Sequence, residues 1–274
     1  MRVEYVLDKG SGEMNEDSLL ISKSIFGVFD GLTSLTKYKD NRGVSGGLVA
    51  SRLVKEEFEK HPSLPLENIV KISLQKLEKI MVDRNIDLTK KEERLSTTLA
   101  VVRTSNDLLE YIQVGDSPII IINKDGTHEV IMSSNNSDKK ALLLWMKFTH
   151  EEGIREWGKD KRMMDQLLMD RHGANVRFGT LNGEKEVLGF IKTGTKKISE
   201  IKQILITTDG LFLPQENPSE GEKIEELIDL YQKMGLKKLK DYVREVETKD
   251  TQFKYPRFKL HDDMAAISLT FDTI

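Results

Sequence analysis

Two apolar runs, Ile25 to Phe29 and Ile204 to Thr208, constrain this chain more than any other feature, because each reads as buried strand and each stops at Asp-Gly. A short run of Ile, Val, Leu and Phe closed by glycine is the signature of a core strand. Asp-Gly by itself is turn chemistry, since glycine supplies positive φ and aspartate bonds its own backbone. Asp125-Gly126, set between Ile119–Ile122 and Val130–Met132, is accounted for as such a hairpin turn. Asp30-Gly31 and Asp209-Gly210 are different because the same design recurs across most of the chain's length. A fold that brings these two strands together delivers both carboxylates to one sheet edge.

The remainder of the chain supplies material to cover such a sheet. Val3–Leu7 is expected as an edge strand, and Leu19–Ser22 forms a hairpin with Ile25–Phe29 that brings Glu16 and Asp30 to the same end. Apolar residues at helical spacing predict helices over Val44–Lys60 and from Leu66 to Arg84, separated by a Pro65 start signal. Strands are predicted over Leu95–Val102 and Leu108–Val114, the second ending in Gly115-Asp116-Ser117. Ser96-Thr97-Thr98 is most simply read as β-branched strand formers. Between Asp138 and Gly173 the pattern changes to two helical stripes, Ala141–Phe148 and Met163 to Leu168, packing elements laid over the sheet or beside its edge. Arg171–Gly194 reads as loop and short strand with an Asn182-Gly183 hairpin turn. Helices near Ile224–Met234 and Leu236–Glu247 flank a Gly235 stop, and Met264–Phe271 alternates as a closing strand. The Lys259-Leu260-His261-Asp262-Asp263 segment thus sits at the start of a strand, which is the same edge as Asp209 if the two strands run in opposite directions.

Composition narrows the function classes. With 42 Lys and Arg against 45 Asp and Glu, the net charge of −3 gives no electrostatic case for nucleic acid or an anionic membrane. The chain has no cysteine, which excludes thiol catalysis, disulfides and cysteine-ligated zinc. No signal-peptide core or membrane-length apolar run is present, so a cytoplasmic location is expected, and the absence of a composition break predicts one domain over residues 1–274 with a helical or flap elaboration at about 138–194.

The acids at strand tips are Glu16, Asp17, Asp30, Asp116, Asp209, Asp262 and Asp263. Converging on one edge they repel unless cations neutralise them, and an oxygen-only donor set selects Mg²⁺ or Mn²⁺. A pair of such ions activates water for in-line attack on phosphorus.

The ordered blocks Asn15-Glu16-Asp17-Ser18, Phe26-Gly27-Val28-Phe29-Asp30-Gly31, Ser96-Thr97-Thr98-Leu99, Val114-Gly115-Asp116-Ser117, Thr208-Asp209-Gly210-Leu211 and Asp262-Asp263-Met264 resemble the type 2C family of metal-dependent protein phosphatases. The resemblance spans the chain and implies an α+β fold, a sandwich of two antiparallel sheets flanked by helices. It implies hydrolysis of phosphoserine and phosphothreonine in a protein substrate, such as the target of a serine/threonine kinase, at a site of two Mg²⁺ or Mn²⁺ ions, with room for a third. By the same resemblance Asp30 bridges the metals, the Gly31 carbonyl and Glu16 serve one of them, Asp209 and Asp262 hold the other, and Asp116 with Asp209 binds an additional ion. Asp263 then replaces the asparagine that follows the last ligand in the family.

Two departures accompany the match. The family's phosphate-gripping arginine falls on Gly12, leaving Lys9 as a substitute whose plain reading is a solvated loop lysine. The histidine that follows Asp-Gly in eukaryotic members is Leu32, with His261 as a stand-in whose plain reading is an ordinary surface histidine. Alternatives in view are an inactive regulatory or binding module of the same fold and a phosphatase for a small phosphorylated metabolite. Asp17, Asp263, Lys9 and His261 are therefore accessory candidates beside the six principal residues.

Overall fold

The computed structural model of the chain describes residues 1–36, 38–133, 138–153 and 160–271. In chain order its elements are β1 (Arg2–Asp8), β2 (Ser18–Ile21), β3 (Ile25–Phe29), α1 (Gly46–Lys60), α2 (Leu66–Asp83), β4 (Leu99–Ser105), β5 (Leu108–Val114), β6 (Ile119–Asn123), β7 (His128–Ile131), α3 (Lys139–Glu151), α4 (Lys161–His172), β8 (Lys192–Lys197), β9 (Ile201–Thr207), α5 (Ile224–Met234), α6 (Leu236–Lys249) and β10 (Met264–Thr270). Positions 154–159 of the expected 138–194 elaboration and Lys37 of the expected 32–43 loop lie outside the described residues.

The strands form two antiparallel sheets of five, ordered β1-β10-β9-β6-β7 and β2-β3-β4-β5-β8. Side chains alternate across a strand, and that alternation sets the layers. In β6, Ile119 and Ile121 point into the space between the sheets while Ile120 and Ile122 point out toward α5 and α6. β9 repeats this with Ile204 and Ile206 inward and Leu205 outward, and β10 with Ala265, Ile267 and Leu269 inward. From the other sheet Phe26, Val28, Ala100 and Val102 meet them, whereas Leu20, Phe29 and Val101 turn to α1 and α2. Being covered on both faces, β3 is buried at all five positions, which is why it reads as a continuous apolar run. The result is the expected sandwich of two antiparallel sheets between helical layers.

Local chemistry fixes the helix ends. The Ser45 hydroxyl caps α1 by accepting from the Leu48 N–H at 3.5 Å, and the Asp160 carboxylate caps α4 by accepting from the Arg162 N–H at 2.9 Å. Gly235 breaks the chain between α5 and α6 at φ +80°. The α3–α4 pair has its own small core of Ala141, Trp145, Phe148 and Met163.

Two expectations are corrected. The strand predicted over Leu95–Val102 begins only at Leu99, since Thr97 makes isolated bridges to Gly31 and Leu181 instead of continuous pairing. Asn182-Gly183 is not a hairpin turn: the Asn182 side chain accepts from the Glu184 N–H at 3.0 Å and leads into a short helical turn over Lys185–Phe190. The strand that follows, β8, pairs with β5 as an edge, and its KTGTKK sequence carries no apolar signal because no residue of it is fully buried. Among the described residues no helix is long and apolar enough to cross a membrane.

Candidate active site

The register of the central strands makes the site. β10 runs antiparallel to β9 with Ala266 opposite Thr207, so the segment before β10 and the segment after β9 leave the same edge. In the facing sheet Ser18 is opposite Phe29, which places the start of β2 beside the end of β3. Asp30, Asp209, Asp262 and the residues before Ser18 therefore meet by topology. There a cavity of about 580 Å³ opens, lined by Asp17, Asp30, Gly31, Asp116, Asp209, Asp262 and Asp263 among others.

Backbone and hydroxyl contacts position each acid. The Asp30 carbonyl accepts from the Thr97 hydroxyl at 2.6 Å and the Thr98 N–H at 2.9 Å, so the irregular Ser96-Thr97-Thr98 stretch anchors the tip of β3. Gly31 and Gly47, in the first turn of α1, lie backbone to backbone: a Cβ on Gly31 would come within 2.5 Å of the Gly47 and Glu16 carbonyl oxygens. The Gly115-Asp116-Ser117 loop is clamped by buried Gln113, whose Nε2 donates at 2.9 Å to both the Gly115 and Ser117 carbonyls. The Thr208 hydroxyl donates to Asp17 at 2.7 Å and accepts from the Ala265 N–H at 2.9 Å.

Glu16 and Asp17 divide as adjacent residues of an extended chain must. Asp17 faces the cavity. Glu16 is buried beside α1, its Oε2 accepting from the Thr33 hydroxyl at 2.5 Å, while its Oε1 has no hydrogen-bond partner among the described residues. A buried carboxylate oxygen without a donor is costly unless a cation or ordered water completes it.

Electrostatically the cavity is strained toward neutralisation. Burial, followed by Asp17, Asp209, Asp116 and Asp262, holds the Asp30 carboxyl well above the usual carboxylate range, and burial followed by Asp262 and Asp116 does the same to Asp209. Asp17 is pushed up to about 8, by burial first and by Asp262 and Asp263, despite the opposing hydrogen bond from Thr208. Burial and the facing Asp116 push Glu222 up to about 7. Among the described residues no group of three or more His, Cys, Asp or Glu side chains is arranged so that it could hold a metal ion as it stands. Asp262 instead accepts from the Lys259 ammonium at 2.7 Å, and the pairing holds the Lys259 pKa above its ordinary value in spite of burial.

Of the residues expected from sequence, Asp30, Gly31, Asp116, Asp209, Asp262, Asp17 and Asp263 line one cavity, and Glu16 packs beside it. Lys9 and His261 do not reach it. Lys9 is exposed, its ammonium 3.4 Å from the Glu13 carbonyl, and His261 turns to α6, where its Nδ1 is 2.7 Å from Glu247. Neither stands in for the residues absent at positions 12 and 32. Sequence reading missed Lys259, Arg171 and Asp138, which also line the cavity. Asp138 offered a signal, an acid at a helix start, but at the N-cap of α3 its side chain makes no capping bond. The two cations carried none, being ordinary polar residues within a loop and on an amphipathic helix.

The family profile described as Protein phosphatase 2C matches residues 9–244. Among solved structures, the catalytic domain of the serine/threonine protein phosphatase PstP in complex with two manganese ions is 16% identical, with a TM-score of 0.60 over 99% of this chain and 98% of that one. The serine/threonine phosphatase Stp1 from Staphylococcus aureus is 19% identical at a TM-score of 0.59, over 99% and 95%. PppA, described as a key regulatory component of T6SS in Pseudomonas aeruginosa, is 14% identical at 0.58, over 98% and 97%. No curated protein sequence matches the chain.

Proposed function

The chain belongs to the protein phosphatase 2C family, and from that premise we propose that it hydrolyses phosphoserine and phosphothreonine in proteins with the help of Mg²⁺ or Mn²⁺. The observation that carries the reading is the single cavity into which five separated segments deliver Asp17, Asp30, Asp116, Asp209 and Asp262. The upward pKa shifts of Asp17, Asp30 and Asp209 and the Glu16 oxygen that has no donor among the described residues are what a site made for cations requires. PstP, of the same fold, is described with two manganese ions.

In this reading Asp30, Glu16 and the Gly31 carbonyl would hold one ion, Asp30, Asp209 and Asp262 would hold a second, and Asp116 with Asp209 would offer oxygens to a further one. Hard divalent ions held by such oxygens supply Lewis acidity and lower the pKa of water to a useful range. The chain's own part is positional. Thr97 and Thr98 hold the Asp30 backbone, Gln113 holds the Asp116 loop, and Lys259 holds Asp262 through one carboxylate oxygen. A phosphoserine peptide incubated with the protein and manganese should release phosphate, and a chelator should stop it. Absence of release from folded, manganese-saturated protein across a panel of phosphopeptides overturns the reading.

A pH prediction follows from the crowded acids. An acid whose pKa is raised by folding binds its proton more tightly in the folded state, so its favourable contribution is complete below the unfolded value near 4 and is lost as pH rises through the folded value. For Asp17 and Glu222 that window runs from about 4 to about 8 and about 7. In chelator, the melting temperature is expected to fall across it, with a smaller fall in Asp17→Asn. Manganese is expected to stabilise more at the alkaline end. Equal slopes for wild type and Asp17→Asn in chelator would refute this.

A further inference from the structure

The Gly12 position leaves the cavity without the arginine that the family resemblance places there, and a dianionic phosphate approaching a floor of carboxylates needs a cation. Among the described residues two cationic side chains line the cavity, Lys259 and Arg171. Lys259 is engaged with Asp262 at 2.7 Å. Arg171, in the last turn of α4, makes among the described residues one hydrogen bond, from Nη2 to the Thr33 carbonyl at 3.0 Å, and no ion pair with a carboxylate. The remaining N–H groups of its fork have no partner among the described residues. The charges it faces are those of the cavity: Asp138, Glu16, Asp30 and Asp116.

The scaffold behind it is built to hold it. α4 is capped by Asp160, packs Met163 into the cluster with Trp145 and Phe148, and is tied at its end by His172 to Glu92 at 3.2 Å. The Thr33 residue that Arg171 grips by its carbonyl donates its hydroxyl to Glu16, so the guanidinium is in register with the acid set. A planar fork matches phosphate oxygens two at a time, which an exposed lysine such as Lys9 does not. We infer that Arg171, delivered by the helical elaboration and not by the N-terminal loop, binds the phosphoryl group of the substrate and the phosphate product. This rests on the phosphatase reading for its substrate, but the binding claim is testable without turnover.

Inorganic phosphate is titrated calorimetrically into manganese-saturated wild type, Arg171→Ala and Arg171→Lys, with melting temperature and manganese affinity measured in parallel. Loss of the charge-assisted contacts is expected to weaken phosphate binding about tenfold to a hundredfold in Arg171→Ala, with the lysine variant between, and to raise KM for an aryl phosphate by a similar factor. Manganese affinity is expected to stay at the wild-type value. Wild-type phosphate affinity in Arg171→Ala, or no phosphate binding by wild type, overturns the inference. So does a parallel fall in phosphate affinity, manganese affinity and melting temperature, which marks Arg171 as a brace for the Thr33 loop. Arginine-dependent phosphate binding by a protein that turns over no ester would keep the grip and discard the phosphatase reading.

Discussion

If Asp30 bridges the metals as proposed, Asp30→Asn is expected to lower kcat/KM toward a phosphoserine peptide by about a thousandfold or more, since losing that carboxylate would remove several kcal/mol of charge stabilisation at about 1.4 kcal/mol per tenfold. The fold should survive. The Asp30 backbone is anchored through its carbonyl by Thr97 and Thr98, and the contacts that hold it do not involve the carboxylate. The side chain is in fact repelled by its surroundings, with burial and four neighbouring aspartates all pushing its pKa up. Neutralising it therefore relieves strain in the metal-free protein, whose melting temperature is expected to hold or rise. The stabilisation gained on adding manganese should shrink at the same time, by mass action on a weakened site. Asp209→Asn is expected to behave alike, because the same burial and the charges of Asp262 and Asp116 act on it. Melting curves with chelator and with manganese, set beside initial rates, separate this from a folding defect. An Asp30→Asn protein that is destabilised in chelator, or that keeps wild-type turnover, would contradict the assignment.

The strand-tip acids were legible in the sequence because β3 and β9 are buried on both faces and end abruptly. A continuous apolar run that stops at a carboxylate is visible without coordinates, and so is its recurrence. The antiparallel relation of β9 and β10 could be stated as a condition, and the register met it. Elements on exposed edges were harder: β8 shows in the sequence as KTGTKK, and its place beside β5 is set by pairing that leaves no apolar trace. The threonines at 97 and 98 read as strand formers since β propensity and a bonding role use the same residue type. Arg171 and Lys259 were invisible for a different reason. Their role depends on which face of α4 and which side of the 258–263 loop meets the cavity, a tertiary fact with no periodic signature.

Asp263→Ala is expected to be the most damaging substitution for stability at the site, at a cost of about 3 kcal/mol, although its neighbour is the proposed ligand. Buried Asp263 accepts from two backbone N–H groups at once, Gly10 through Oδ1 and Glu16 through Oδ2, both at 2.8 Å. Truncation strands both donors, each costing roughly 1–3 kcal/mol when left without a partner. These bonds staple the N-terminal loop to the start of β10, reinforced by the Ser11 N–H to the His261 carbonyl at 2.9 Å. The approach is so close that a Cβ on Gly10 would lie 2.3 Å from that carbonyl, and one on Gly210 would lie 1.9 Å from the Asp263 carbonyl. The same geometry explains the carboxylate where the family resemblance expects an amide. Two N–H donors require two acceptor oxygens, and asparagine offers one, turning its own donors toward the other N–H. Asp263→Asn should thus fall between wild type and alanine in stability. Because the staple sets Glu16 and Asp17 beside Asp262, manganese affinity is expected to drop about tenfold to a hundredfold in the alanine variant, as for other groups that orient ligands. Chemical denaturation gives the first quantity and calorimetric titration the second. An alanine variant with both at wild-type values would show that the loop reaches its place without Asp263.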